Sequence, residues 1–202
     1  MSYLTNPYRY AGVNPWLAQD TVIINNTVTN KVDFSAQRDG TNNALTYDIG
    51  SNLSATWVLR FILNFSTNTP SSENWLYIGI TNENSDSNGW TIGGYVDSFG
   101  GFLMNESALA SKKRQGMCSA TDSYLTENQA RNEGVSFTTG TDYYFEIIRT
   151  AGTTGSITSY TGSYGGTVHN AFSYTGGNDA QNLQFFRVSD IFTPEVTGNN
   201  FI

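Results

Sequence analysis

The stretch from Trp57 to Thr81 constrains the fold of this chain most strongly. Its first run, WVLRFILNF, has a large apolar residue at every odd position, and its second run, WLYIGIT, alternates through Leu76, Ile78 and Ile80. A period of two is typical of a β-strand with one face in a core. The polar connection between the runs contains Pro70 and continues neither strand. The stretch therefore predicts two long strands, joined by a loop, at the centre of a sheet.

The same alternation returns along the rest of the chain. Residues 44–50, 141–150 and 182–192 carry it most clearly, and turns rich in Gly, Asn, Ser and Asp separate the segments. Only residues 121–134 are a candidate for a short helix. Many short strands with such turns are typical of an antiparallel sandwich or barrel. At this length they predict an all-β fold, a two-sheet antiparallel β-sandwich of the jelly-roll type.

Residues 1–20 differ from the rest of the chain, because they contain two prolines and several aromatic residues without a period of two. Proline fixes its own φ and favours extended backbone before it. We therefore expect an extended N-terminal arm over 1–20 and a sandwich domain over 21–202. The arm either packs along its own domain or docks onto a neighbouring subunit, since aromatic side chains are favoured in interface pockets. The candidate docking residues are Tyr3, Tyr8, Tyr10 and Trp16.

Composition limits the partners and the location of the protein. The net charge is −7, which argues against nucleic acid, and the short Lys112–Arg114 cluster is a solvated loop in the simplest interpretation. No apolar run reaches the ~18 residues of a membrane span. Cys118 is the single cysteine, and the N-terminal sequence lacks a signal-peptide pattern. With only 13% charged residues, these features predict synthesis in a cytoplasm without a signal peptide and a place on a virion or extracellular surface.

Five segments together resemble a known superfamily: YDIG, WVLRFILNFST, WLYIGITNENSD, TDYYFEIIRT and NLQFFRVSDIF, in that order. The chain over about residues 30–192 is similar to the concanavalin A-like lectin/glucanase superfamily in its laminin-G-like form. Related modules occur in structural proteins of phages and archaeal viruses and in secreted carbohydrate-binding proteins. The resemblance implies a lectin-like sandwich, and its motifs are core strands that specify the fold more than the function.

The superfamily contains glycosidases, and glycoside hydrolysis needs two carboxylates at a fixed separation. The glucanase members carry these on one strand as Glu-x-Asp-x-x-Glu, and no glutamate of this chain has that spacing. Glu146 lies on a predicted strand, yet its alternating neighbours are Tyr144 and Ile148. The only histidine, His169, has no nucleophile motif beside it. The sequence therefore predicts a protein that is not an enzyme; hydrolysis that is abolished by Glu146→Gln would reverse this.

Two candidate binding sites remain. The loop Asn82 to Gly89 is rich in oxygen-bearing side chains, and Asn84, Asp86 and Asn88 resemble the first half of an EF-hand loop. Tyr95 stands where the bidentate glutamate belongs, so these residues form either a calcium site or a solvated turn; no other cofactor is expected. For glycans, the resemblance implies an aromatic platform beside polar side chains. The candidates are Trp90, Tyr95, Tyr160 and Tyr164, each of which could instead pack the fold.

Together these observations predict a non-enzymatic virion structural protein, either a capsid decoration protein or a tail or fibre component. Its lectin-like sandwich would contact surface glycans, and its arm would anchor it to other copies of itself or to other virion proteins. The alternatives are a free carbohydrate-binding lectin module and a subunit of an extracellular surface filament. Neither nucleic acid nor membrane insertion is expected.

Overall fold

The computed structural model describes residues 16–19, 23–25, 33–35, 44–64, 74–82, 97–106, 112–120, 129–133, 135, 137–138, 140–175 and 179–191. The elements within these ranges are all strands. In chain order they are β1 (Trp16–Gln19), β2 (Ile23–Asn25), β3 (Asp33–Ser35), β4 (Ala44–Asp48), β5 (Trp57–Asn64), β6 (Asn74–Thr81), β7 (Ser98–Glu106), β8 (Lys112–Ala120), β9 (Gln129–Glu133), β10 (Asp142–Ala151), β11 (Thr154–Thr161), β12 (Thr167–Thr175) and β13 (Phe185–Ile191).

The strands form two main antiparallel sheets and one small one. The larger sheet has seven strands in the order β1-β4-β13-β6-β7-β8-β9, and the smaller has four in the order β12-β11-β10-β5. Strands β2 and β3 form a two-stranded sheet. The prediction of an all-β, two-sheet antiparallel sandwich is confirmed. Within the described ranges, no helix is long and apolar enough to cross a membrane.

The core lies between the two main sheets, and strict alternation builds it. Along β10, burial alternates residue by residue, as the sequence pattern predicts. Trp57 of the four-stranded sheet meets Phe99 of the seven-stranded sheet edge-on, with ring centroids 5.7 Å apart. A buried polar contact also links the sheets, because Ser159 donates a hydrogen bond to Gln115 Oε1 at 2.9 Å. The buried core residues are Trp57, Leu59, Ile78, Ile80, Phe99, Met117, Val135, Phe137, Tyr143, Phe145, Ile147, Ile157, Tyr174, Ala180 and Leu183.

The two strands of the Trp57–Thr81 stretch do not pair with each other. Strand β5 forms an edge of the four-stranded sheet and pairs with β10, whereas β6 lies at the centre of the seven-stranded sheet between β13 and β7. The prediction that the two strands lie together at the centre of one sheet is therefore wrong. Alternation identifies which side chains enter the core, and both strands do contribute to it, but it does not identify the strand that each one pairs with.

Two other predictions concern the two edge strands of the seven-stranded sheet. The candidate helix over 121–134 is wrong for residues 129–133, because Gln129–Glu133 is strand β9, paired with β8. At the other edge, Trp16–Gln19 of the predicted arm forms strand β1, which pairs with β4. Residues 1–15 of the arm lie outside the described residues.

The outer face of the seven-stranded sheet is closely packed around Gly79 and Gly100. Gly79 and Gly100 face each other across β6 and β7, and the ring of Tyr77 lies over them. Glycine is needed at this close approach, since a Cβ on Gly100 would come within 2.6 Å of the Gly79 Cα. Five side chains of this face are fully buried and offer no open surface: Thr46, Tyr77, Thr81, Ser98 and Arg187. Asp48, at the end of β4 on the same face, is exposed.

Candidate functional site

The outer face of the four-stranded sheet carries a row of apolar and aromatic residues, one from each strand. Tyr144 of β10 lies opposite Tyr160 of β11 and Ile62 of β5, and Tyr160 lies opposite Val168 of β12. Directly opposite residues share a face of the sheet, and Tyr143 and Phe145 on the other face are core residues. We refer to Val168, Tyr160, Tyr144 and Ile62 as the apolar row.

A charged pair lies beside the apolar row. Glu146 and Arg60 are cross-strand partners, two residues away from the row on β10 and β5. The Arg60 Nε donates to Glu146 Oε2 at 2.6 Å, and Nη2 lies 2.5 Å from the same oxygen. Both contacts use Oε2, so among the described residues Glu146 Oε1 accepts no hydrogen bond. The Arg60 side chain is 43% exposed and that of Glu146 is 13% exposed, so solvent reaches the pair mainly at the arginine.

The loop between β11 and β12 brings a third tyrosine to this face. Gly162 and Gly165 have φ of 83° and 72°, the left-handed region that glycine adopts without steric cost. They allow the loop to fold back, and Gly166 N donates to Ser163 O at 3.0 Å. As a result the Tyr164 ring stands against Tyr144, with centroids 5.2 Å apart at 83°. We call the surface around Tyr144, Tyr160 and Tyr164 the tyrosine face.

Tyr164 also contacts the arginine of the charged pair. The guanidinium carbon of Arg60 lies 5.5 Å from the centroid of the Tyr164 ring, within the range of a cation–π contact. Burial raises the pKa of Tyr164 to about 12, and the charge of Arg60 opposes this only in part. The phenol is therefore neutral at physiological pH and keeps its O–H donor.

Alkaline titration tests this environment. Because the pKa of Tyr164 is raised in the folded protein from 10.0 to about 12, its favourable contribution to stability is fully present below pH 10 and is lost as the pH rises toward 12. We expect the difference between the near-ultraviolet titration curves of the native protein and its Tyr164→Phe variant to show one phenol that ionises near pH 12. If the phenol that the variant lacks instead ionises near pH 10 in the native protein, the buried position of the ring is contradicted.

A second polar pair lies on the other side of the apolar row. Asp142 and Asn64 are cross-strand partners on β10 and β5, and Asn64 Nδ2 donates to Asp142 Oδ1 at 2.6 Å. The row therefore has a hydrogen-bonding pair on each side. The Cα atoms of Asp142 and Glu146 are ~13 Å apart along β10.

The predicted site residues have different outcomes. Tyr160 and Tyr164 both lie on the tyrosine face, so the structure brings these two glycan candidates together. Trp16 lies in the edge strand β1. No group of three or more metal-binding side chains occurs among the residues that the structure describes. The other candidates lie outside those residues and stay predictions: Trp90 and Tyr95 for glycans, Asn84, Asp86 and Asn88 for calcium, and Tyr3, Tyr8 and Tyr10 for docking.

Three residues of the site, Tyr144, Glu146 and Arg60, were not among the predicted site residues. The signal for them was present in part, since alternation places Tyr144 and Glu146 together on the face of β10 that is opposite the core. Arg60 occupies an even position of β5, also away from the core. What the pattern lacks is the pairing of β5 with β10, and only this pairing brings Arg60 to Glu146.

Comparison with solved structures identifies the fold of the chain. No protein-family model and no curated protein matches the chain. Among solved structures, a legume lectin-like domain from Entamoeba histolytica is similar over 92% of this chain and 84% of that chain, at 9% identity with a TM-score of 0.60. A protein of unknown function from Shewanella oneidensis is similar over 98% and 88%, at 12% identity with a TM-score of 0.51. At such identities the likeness concerns the fold alone.

The prediction that the protein is not an enzyme is contradicted. The similar structures include alginate lyase Aly36B in complex with an alginate trisaccharide, at 13% identity over 91% of this chain and 79% of that chain with a TM-score of 0.47. Peptidases are also among them. The prediction was based on the missing Glu-x-Asp-x-x-Glu pattern, which belongs to the glucanase members. The likeness to the legume lectin-like domain shows a lectin-like β-sandwich fold, and the absence of that pattern does not exclude catalysis on such a fold.

Proposed function

We propose that this protein binds carbohydrate on the tyrosine face of its four-stranded sheet. The observation that carries the proposal is the convergence of three half-buried tyrosines from two strands and one loop. Among the described residues, no hydrogen bond is made by the phenol oxygens of Tyr144, Tyr160 or Tyr164. A tyrosine has a large apolar ring with a polar tip, so this face offers apolar surface and hydrogen-bonding groups together.

The chemistry of a sugar ring matches such a surface. One face of a sugar presents C–H groups that pack against an aromatic ring, and its edge carries hydroxyl groups that both donate and accept hydrogen bonds. Binding sites combine a mostly apolar lining with a few placed polar groups. Here Glu146 Oε1 is an acceptor for a sugar hydroxyl, and the three phenols are donors or acceptors. The lectin-like sandwich is consistent with this proposal.

The virion role predicted from the sequence is a separate part of the proposal. It is supported by the low content of charged residues, 13%, and by the resemblance to viral structural modules. Anchoring through the arm involves mainly residues 1–15, which lie outside the described residues, so it stays a prediction. Deletion of residues 1–15 leaves β1 in place, and retention of the shortened protein in its particle at full occupancy would contradict the anchor.

A glycan array tests carbohydrate binding directly. We expect the full-length protein to bind a defined subset of glycans and the Tyr160→Ala variant to lose at least about 90% of that signal, since stacking residues act as binding hot spots. The matched control is Thr175→Ala at an exposed position at the far end of β12, which we expect to bind normally. Equal binding by the Tyr160→Ala variant, or no binding of any glycan by the native protein, would overturn the proposal.

A further inference from the structure

The apolar row is open at both ends. Ile62 is 51% exposed and Val168 is 55% exposed, and these are the two exposed large hydrophobic residues among those that the structure describes. They occupy the two edge strands, β5 and β12, at the ends of the same row. Four neighbouring strands at ~4.7–4.9 Å spacing make the row ~14 Å long. A ligand that uses the whole row extends across all four strands of the sheet.

Two polar pairs flank the row on its two sides where it crosses β5 and β10. Asn64 and Asp142 lie on one side, and Arg60 and Glu146 lie on the other. A closed site for a chain end or a single sugar has polar groups around its rim, because hydroxyl groups that are removed from water need hydrogen-bond partners. Polar sides with open apolar ends fit the internal units of a longer chain.

The charges on this face favour a neutral chain. Arg60 is compensated by Glu146, which accepts contacts from both its Nε and its Nη2. The other carboxylate of the face, Asp142, is partnered by the neutral amide of Asn64, and Tyr164 is a neutral phenol. The described face therefore has no excess positive charge, and the chain as a whole carries a net charge of −7. An anionic polymer would be repelled by this field.

We infer that the tyrosine face takes several internal units of a neutral, extended glycan, which lies across the four strands from Ile62 to Val168. This inference rests on the proposed carbohydrate binding and adds the chain length, the direction and the charge of the ligand. The expected ligand is a neutral polysaccharide or a long glycan arm, rather than a monosaccharide, a chain terminus or a uronic acid polymer.

Chain-length dependence tests the inference. Calorimetric titration would use the monosaccharide through the hexasaccharide of the neutral glycan that gives the strongest array signal, with oligogalacturonides of the same lengths as the anionic comparison. We expect the affinity to rise about tenfold or more between disaccharide and tetrasaccharide, equivalent to about 1.4 kcal/mol, and the oligogalacturonides to bind at least about tenfold more weakly than their neutral counterparts.

Variants at the ends of the row give a second measurement. Ile62→Ser and Val168→Ser change exposed positions, so the fold should tolerate them. We expect both to weaken tetrasaccharide binding more than disaccharide binding. Equal affinity for all lengths, or a preference for oligogalacturonides, would overturn the inference while carbohydrate binding stands. No binding of any sugar, on the array or in solution, would overturn both.

Discussion

Replacing Tyr144 by alanine is expected to weaken glycan binding about 30-fold or more, equivalent to about 2 kcal/mol, the level of a binding hot spot. Tyr144 lies in the middle of the apolar row, between Tyr160 and Ile62. Its ring also supports that of Tyr164 at 5.2 Å. The substitution therefore removes the central ring and the support of a second ring, whereas Tyr160→Ala removes one ring only. Titration with the best-binding oligosaccharide measures the effect.

Two controls separate the contribution of the ring from that of the hydroxyl and from general damage. Tyr144→Phe keeps the ring and removes the phenol oxygen, so we expect a loss of about 0.5–1.5 kcal/mol, the typical value of one hydrogen bond. Asn52→Ala changes an exposed residue outside the four-stranded sheet and should bind normally. Circular dichroism and thermal melts check that each variant is folded. Native affinity in a folded Tyr144→Ala variant would exclude the tyrosine face as the binding site.

The sequence predicts the core residues of this protein better than it predicts which strands pair with each other. Odd-numbered residues of 57–63 and 143–147 are in the core or packed against it, as alternation predicts. Alternation reports only which face of a strand is apolar, and β5 and β6 satisfy it equally well in opposite sheets. The assignment of β5 to β10 depends on residues that are 86 positions apart, such as Arg60 and Glu146. A single sequence carries no local signal for such a contact.

The same reason explains the partial prediction of the site. Tyr160 and Tyr164 belong to one hairpin, so their closeness is visible in the sequence itself. Tyr144 and Arg60 reach them only through the order of strands in the sheet. The non-enzyme prediction was wrong for a different reason: it treated one catalytic pattern as the requirement for every activity on the fold, although function depends on local sites rather than on the fold.

The largest effect on stability is expected at Arg149, an arginine inside the sandwich. Its side chain is 2% exposed. Its Nη2 donates to Ala180 O and to Gly152 O, at 2.7 Å each, and its guanidinium carbon lies 5.0 Å from the Phe99 ring centroid. Burial lowers the pKa of Arg149, while Asp179 and Asp97 partly oppose the shift. This one side chain connects the β10–β11 turn to the segment before β13.

Replacing Arg149 by alanine is therefore expected to lower the free energy of unfolding by about 3 kcal/mol or more. A buried carbonyl that loses its donor costs about 1–3 kcal/mol, and the emptied volume adds a cavity cost. The matched control is Arg60→Ala, the same chemical change at a 43% exposed ion pair, for which we expect about 0–1 kcal/mol. Urea denaturation measures both. Equal losses of stability in the two variants would show that the buried hydrogen bonds of Arg149 do not hold the turn. A loss of stability in Arg149→Ala alone, together with weaker glycan binding in Arg60→Ala alone, would distinguish the two roles. Arg149 would then stabilise the sandwich, and Arg60 would line the ligand face.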